Sequence, residues 1–460
     1  MESSKPSKNP RTASEVTKEW LEVVLCQYES KTSPRSTVKV NSFEVNPGCG
    51  KGENFSSDVM RIVAEGLVTP AGGTPSRAHY SFIAKFLTGS EFEHTMAMEF
   101  GAPQKESLTL SEVLPTLNTF QEERGGDKYR INAPEYVYGV CKDGEYLLMM
   151  QDLMEAGFKV GDKRRGLSLS QLKIAVQNLA HLHSVSYAFN HTHDFLTKYP
   201  NFITNPLMTD IMGVFVRVLL EGIMDNFLKN REEEFPGVLK TLASNKDKLV
   251  SKVTDILSVS GKEAILCLCH GDYWTNNFMF KYDKEGDVED FAMIDWGNVG
   301  WRNPVIDLLY VIHTSTQQDL RRDHLREVQK LYYDTFTSTA ANLGAALPHW
   351  RFEDFLMEYQ KSALMGVVFG LLVNLLTLSA SAKKLSQGTL STGFISWLRV
   401  KFAKVMMSIP NSWLIKMVYM GTKKAWKPYF EELASMNNPE MTTRVTNLIT
   451  EAYQDGVLNI

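Results

Sequence analysis

Cysteine is sparse and gives the chain no disulfide framework: Cys26, Cys49, Cys141, Cys267 and Cys269 are odd in number and scattered. No second Cys or His pair accompanies Cys267 and Cys269 at zinc-ligand spacing, so reduced thiols in a cytoplasmic protein are expected. An excess of either charge is also missing. With 49 Lys and Arg against 53 Asp and Glu, the net charge of -4 offers no basic footprint for nucleic acid. The opening "MESSKPSKNPRTASE" lacks the apolar core of a secretory signal, and the closing "VLNI" has no lipidation box. The sequons at Asn54 and Asn190 therefore read as chance matches. Internal repeats and long low-complexity segments are absent as well.

What is present suits a globular protein of more than one structural unit. Hydrophobic residues make up 43% of the 460 positions and charged residues 22%, and single cores stop growing at roughly 250–300 residues. One uncharged run, "ALMGVVFGLLVNLLTLSASA" (363–382), is long enough to cross a bilayer. It carries Asn374, ends in Ser and Ala, and has no second run of similar length. A buried core helix is expected there, without stable membrane insertion.

Residues 1–12 read as a disordered tail. "SEVTKEWLEVVLCQYE" (14–29) has helical spacing in Val16, Trp20, Val23, Val24 and Tyr28, with Ser14 as the expected cap. Segments 36–45, 58–68 and 79–87 are rich in β-branched and aromatic residues between Gly/Pro turns, the pattern of a meander. A helix over 105–117 is expected to stop at Pro115, followed by strands "EYVYGVC" (135–141) and "EYLLMMQDL" (145–153). From Leu167 the period becomes 3.6, with Leu172, Val176, Leu179 and His183 on one face. The fold class is thus α+β and bilobal: a five-stranded antiparallel lobe over 13–153 and a helix-rich lobe over 154–460. His181, His183, His191 and His193 read as core and surface residues rather than zinc ligands, and "RRDHLRE" (321–327) as a solvated helix face.

The exception in the second lobe is "AILCLCHGDYWTNNFMFKYDKEGDVEDFAMIDWGN" (264–298). It parses as an apolar strand, a polar turn over 270–277, a strand over 278–282, a tight turn, and a strand over 288–294. That hairpin brings Asp272, Asn277 and Asp295 to one end of a sheet, a set of oxygen donors suited to Mg²⁺. Phosphoryl transfer needs such spacing, with an Asp facing the attacking hydroxyl and an Asn five residues on turned to the metal.

"CHGDYWTNNFMF" (269–280), "MIDW" (293–296) and "NPVIDLLYVI" (303–312), in that order, resemble the ecdysteroid kinase-like family, relatives of choline and aminoglycoside kinases. "LTLSEVLPTL", "LMMQDL", "LSQLKIAVQNLAHLHSVSYA" and "LTKYPNF" extend the resemblance over nearly the whole chain beyond the first dozen residues. It implies a protein-kinase-like fold that uses ATP and Mg²⁺. Asp272 would be the catalytic base, Asn277 and Asp295 the metal ligands, and His270 a support of the loop, which Asp307 braces through its backbone. Lys85 in "FIAKF" matches the lysine that reaches the phosphates, and Glu106 the helix acid that positions it. Segment 46–62, with Asn54, would cover the nucleotide, and Met150 and Gln151 would meet the adenine. Two departures stand out: Asp295-Trp296-Gly297 replaces Asp-Phe-Gln, and Gln151-Asp152-Leu153 replaces Glu-Asp-Leu.

Only Trp296 to Val305 separates the metal aspartate from "IDLLY", too little for the activation segment of a protein kinase. The expectation is a small-molecule O-phosphotransferase whose acceptor is an apolar alcohol, an ecdysteroid-like sterol first, held by the aromatic and Met-rich segments 215–227, 347–359 and 367–373. The alternatives are a catalytically inactive kinase-like nucleotide- or ligand-binding protein and a choline-type kinase with a cage from Trp350, Glu353, Asp354 and Tyr359.

Overall fold

The computed structural model describes residues 6, 8–48, 57–87, 101–142, 145–203, 206–229, 231–258, 265–379 and 411–459. Helix α1 (Lys18–Glu29) starts at Thr17, whose hydroxyl accepts the Trp20 N–H at 3.2 Å. Thr17 rather than Ser14 is therefore the cap, and Ala13–Glu15 forms a separate 3-10 turn. Trp20, Leu21, Val24 and Leu25 are buried against the first sheet. The end of the expected tail is anchored there too: Asn9 accepts hydrogen bonds from the Tyr138 hydroxyl at 2.8 Å and the Trp20 indole at 3.4 Å. Residues 1–5 and 7 of that tail lie outside the described residues.

Strands β1 (Thr37–Pro47), β2 (Ser57–Thr69) and β3 (Ser76–Leu87) form the meander, and the sheet is antiparallel throughout. Alternation along β3 buries Tyr80, Phe82, Ala84 and Phe86 in the cluster with α1. With a period of two, Lys85 must point to the other face, toward the second lobe.

Helix α2 (Ala102–Leu108) does not end the segment at Pro115. A five-residue π-turn, Thr109–Val113, carries it directly into α3 (Leu114–Gly125). The wider turn changes the hydrogen-bond register just before Pro115, which sits in the first turn of α3, where its missing N–H costs little. Strands β4 (Tyr136–Lys142) and β5 (Glu145–Gln151) complete the sheet, in spatial order β1-β2-β3-β5-β4.

Past Gln151 the chain enters the helical lobe with a short β6 (Lys159–Val160). Helix α4 (Leu169–His193) opens on a capping box between Ser168 and Gln171 and buries Leu172, Val176, Leu179 and His183. It is followed by α5 (Pro206–Gly222), α6 (Val238–Leu257) and β7 (Cys267–Cys269). Strands β8 (Phe278–Tyr282) and β9 (Val288–Met293) make the expected hairpin, but β7 is not part of it. β8 lies between β9 and β6 and pairs with both, whereas β7 pairs with the three-residue β10 (Gly300–Arg302). The polar turn therefore runs between two small sheets.

Helices α7 (Val305–Ser315), α8 (Gln318–Asn342), α9 (Phe352–Leu378), α10 (Asn411–Ser435) and α11 (Pro439–Gln454) complete the lobe. Arg321 departs from the expected solvated face: it is buried and makes two 2.8 Å hydrogen bonds to Glu451 of α11. Helix α9 contains most of the long apolar run. Among the described residues it is the one helix long and apolar enough to cross a membrane, and 78% of its apolar window is buried in the protein.

Candidate active site

The two lobes meet over a cleft of about 350 Å³. Lys85, Met150 and Gln151 line it from the first lobe, and Asp272, Asn277 and Asp295 from the second. Sequence reasoning placed all six in one site, and the fold brings them together. Asn54 lies outside the described residues, as do the other residues of 49–56 within segment 46–62; Gly48 reaches the cleft, and the ends of that segment belong to β1 and β2.

Lys85 Nζ donates to Glu106 Oε1 at 2.5 Å and to Asp295 Oδ1 at 3.3 Å. Tyr146 donates to the second Glu106 oxygen at 3.2 Å, so that carboxylate is held from both sides. Burial alone would favour loss of the Lys85 proton, but the charges of Asp295 and Glu106 outweigh it and hold the ammonium above its ordinary value. Lys85 in turn holds Asp295 below the usual carboxylate range. The Asp295 side chain is 47% exposed, so it reaches open space while its neighbours Lys85 and Glu106 do not.

The polar turn is positioned by its backbone. Gly271 has φ 79°, and a Cβ there would lie 2.1 Å from the Asn298 carbonyl oxygen, so only glycine lets the turn approach segment 296–298. Asp307, fully buried in the first turn of α7, accepts the His270 N–H at 2.6 Å and the Gly271 N–H at 3.1 Å. His270 Nε2 donates to the Ile294 carbonyl at 3.1 Å, tying the turn to the end of β9. Asn277 Nδ2 donates to Asp272 Oδ2 at 2.9 Å and to its carbonyl at 2.9 Å, while the Tyr310 hydroxyl donates to Asp272 Oδ1 at 2.7 Å. Burial raises the Asp272 carboxyl to about 6, with Asp295 adding to the rise and the Tyr310 and Asn277 hydrogen bonds opposing it. Asp295 itself is a non-glycine residue at φ 66°, a strained conformation of the kind found at functional sites.

Both departures from the expected motifs have local accounts. Trp296 is fully buried, packs 4.7 Å from the His270 ring and donates its indole N–H to the Met293 carbonyl. Gln151 donates its backbone N–H to the Glu135 carbonyl at 2.9 Å, and its side-chain oxygen accepts from Glu135 N at 3.4 Å. Next to it, buried Asp152 accepts from Arg61 at 2.6 Å and from Ser81 at 2.9 Å, fixing the connection between the lobes to β2 and β3.

Tyr146 and Tyr310 are site neighbours that sequence reasoning did not assign, and His183, expected in the core and buried there, is a third. His183 donates toward Asp307 at 3.4 Å and pairs with the Tyr332 hydroxyl at 2.7 Å. Its ligand atoms and those of Cys267 and Cys269 fall within 4.8 Å of one another, but its two ring nitrogens already have these partners. The cage expected from Trp350, Glu353, Asp354 and Tyr359 is not assembled. Trp350 packs among Tyr333, Phe336 and Phe355, Tyr359 is buried, and Asp354 pairs with Arg351.

Over residues 51–345 the chain matches the ecdysteroid kinase-like family. It belongs to that family. The match is shorter than the near-complete span the motifs implied, and it contains the polar turn, Lys85, Glu106 and Asp307. Ecdysteroid kinase-like membership makes the chain a small-molecule kinase by class, and the five-stranded lobe followed by helices is the protein-kinase-like arrangement. Solved structures similar to this family member include the GDP complex of aminoglycoside 2'-phosphotransferase-IIIa, at 14% identity and TM-score 0.38, covering 84% of this chain and 98% of that one. Plasmodium vivax ethanolamine kinase follows at 12% identity and TM-score 0.36, with 86% and 90% covered. Choline kinase from Cryptosporidium parvum has 12% identity and TM-score 0.35, with 84% and 89% covered. No curated protein sequence matches the chain.

Proposed function

We propose that this protein transfers the γ-phosphoryl group of ATP to a hydroxyl of a small, uncharged, largely apolar alcohol, with an ecdysteroid-like sterol as the first candidate. The observation that carries the reading is the convergence of Lys85, Asp272, Asn277 and Asp295 on one interlobe cleft, with Glu106 holding Lys85. In this reading Lys85 offsets the charge of the triphosphate. Asp272 takes the proton of the acceptor hydroxyl while the new P–O bond forms and the bond to the bridging oxygen of ADP breaks. A carboxyl near 6 is ionised at neutral pH yet basic enough to receive that proton.

The donor set fits Mg²⁺: the Asn277 amide oxygen and the Asp295 carboxylate are hard oxygen ligands beside the place for the phosphates. When bound, the ion supplies charge neutralisation to the β- and γ-phosphates. The adenine would be met by main-chain groups beyond Gln151, since the Gln151 N–H is engaged by Glu135. The four described cysteines are free thiols, which supports a reducing cytoplasmic setting.

The acceptor assignment rests on family membership and on uncharged lining around the base, including Trp274, Met279 and Ile294. Segments 215–227, 347–359 and 367–373 are mostly packed core and add little to it. A side-by-side transfer assay from labelled ATP to ecdysone, simple apolar alcohols, choline and an aminoglycoside tests the proposal. Transfer to ecdysone or an apolar alcohol is expected. Efficient phosphorylation of choline or the aminoglycoside, with none of the apolar acceptors, refutes the acceptor class.

A further inference from the structure

Tyr310 lies one helical turn after Asp307 on α7, and residues three apart share a helix face. From that face Asp307 receives two backbone N–H groups of the polar turn, and the Tyr310 hydroxyl reaches the side chain of Asp272 at 2.7 Å. One rigid helix thus holds the turn by its backbone and its reactive group by the carboxylate. The phenol ring is itself confined: it is buried and lies 4.4 Å from the Phe369 ring of α9, tilted by 32°. The two donors divide the carboxylate between them, with the Tyr310 hydroxyl on Oδ1 and the Asn277 amide on Oδ2.

We propose that Tyr310 is a positioning residue for Asp272, pinning its carboxylate in one orientation at the cleft for the acceptor hydroxyl. This rests on the reading of Asp272 as the base. The phenol is suited to the task because burial and the Asp272 charge hold it well above its ordinary value, so it stays a neutral donor throughout the working range. The groups bearing on the Asp272 charge are Asp295, which raises its pKa, and Tyr310, Asn277 and the Trp274 indole, which lower it. Removing the Tyr310 hydroxyl takes away the first of the stabilising contacts.

Tyr310→Phe keeps the ring against Phe369 and deletes only the donor. Transfer activity is expected to fall by about 10- to 100-fold in kcat, the usual weight of a hydrogen bond to a charged group, with KM for ATP·Mg²⁺ within about twofold. A double-mutant cycle separates positioning from a packing role. In the Asp272→Asn background Tyr310→Phe has no carboxylate left to hold, so adding it is expected to change kcat by no more than about twofold. If Tyr310→Phe does not fold, Phe369→Leu, which frees the ring but keeps the hydroxyl, is expected to lower kcat in smaller measure with the same unchanged KM for ATP·Mg²⁺. Unchanged kcat in Tyr310→Phe, or a further loss of the same size in the Asp272→Asn background, overturns the inference. Normal transfer by Asp272→Asn refutes the base assignment instead, so the two failures are distinguishable.

Discussion

Replacing Asp307 by asparagine removes one negative charge from a site with no solvent access while changing the side-chain volume little. In the native protein its carboxylate accepts the N–H of His270 at 2.6 Å, the N–H of Gly271 at 3.1 Å and His183 at 3.4 Å. An amide has a single acceptor oxygen, and geometry gives it to the shorter contact with His270. The amide nitrogen then faces the Gly271 N–H, donor against donor, in a buried setting. A charge-assisted hydrogen bond contributes ~1.5–3 kcal/mol and an orphaned buried donor costs ~1–3 kcal/mol, in line with the ~3–5 kcal/mol for removing one partner of a buried ion pair. A loss of about 3–5 kcal/mol is therefore expected in urea unfolding, read as a lower midpoint at constant slope. The loss should depend on pH. Burial opposes the charge of Asp307, but His183 holds its carboxyl below the usual range, so that stability is present above about 4 and lost as pH falls through the lower folded value. Burial likewise opposes charge on His183, while Cys269 and Asp307 raise it to about 9. Burial keeps the Cys269 thiol protonated, so Asp307 is the charge at work. The His183 contribution is full below about 6.5 and lost as pH rises to about 9. The gap between wild type and Asp307→Asn should accordingly narrow across that window. A gap under about 1 kcal/mol at pH 6, or one that does not narrow toward pH 9, refutes this account of the turn.

Asp272→Asn and Asp295→Asn should separate by step: the first should lose about 10²–10⁴ in turnover while keeping ATP·Mg²⁺ affinity, and the second should also weaken Mg²⁺-dependent nucleotide binding in calorimetry. If both variants transfer phosphate at the normal rate, the site is misassigned. Gly271→Ala should lose activity together with stability, since left-handed backbone alone costs ~1–2 kcal/mol and the added carbon meets the Asn298 carbonyl at 2.1 Å. Unchanged melting and kcat in that variant would show that the turn relaxes freely.

The site was legible where its geometry is local. Asp272 and Asn277 share one turn, and the β8–β9 hairpin returns Asp295 to it, so spacing alone brought the three together. Lys85 and Glu106 were legible only through the ordered motifs, and alternation on β3 accounts for the face on which the fold presents Lys85. What escaped depends on contacts between distant segments. Tyr310 reads as one more aromatic in "IDLLYVI" until the fold brings Asp272 beside it. The pairing of β7 with β10 is invisible because "GWR" is too short to show a period. Thr17 and Ser14 carry the same hydroxyl, and only the position of Trp20 against the sheet decides between them. The cage residues failed because sequence shows which aromatics exist, not which are already packed against one another.

The π-turn at Thr109–Val113 fixes more than the passage of Pro115. Each residue of an α-helix advances the chain by about 100° around the axis, so the odd residue in that wide turn sets the angle between the face bearing Glu106 and the face of α3 buried through Leu114, Leu117 and Phe120. Were the same residues wound as uniform α-helix, Glu106 would swing by roughly a quarter turn away from Lys85, unless α3 gave up its own packing. The winding of this segment is thus under chemical constraint although none of its five residues lines the cleft. By contrast, a change of length is expected to be tolerated at the β2–β3 turn around Gly72, where added atoms meet open space.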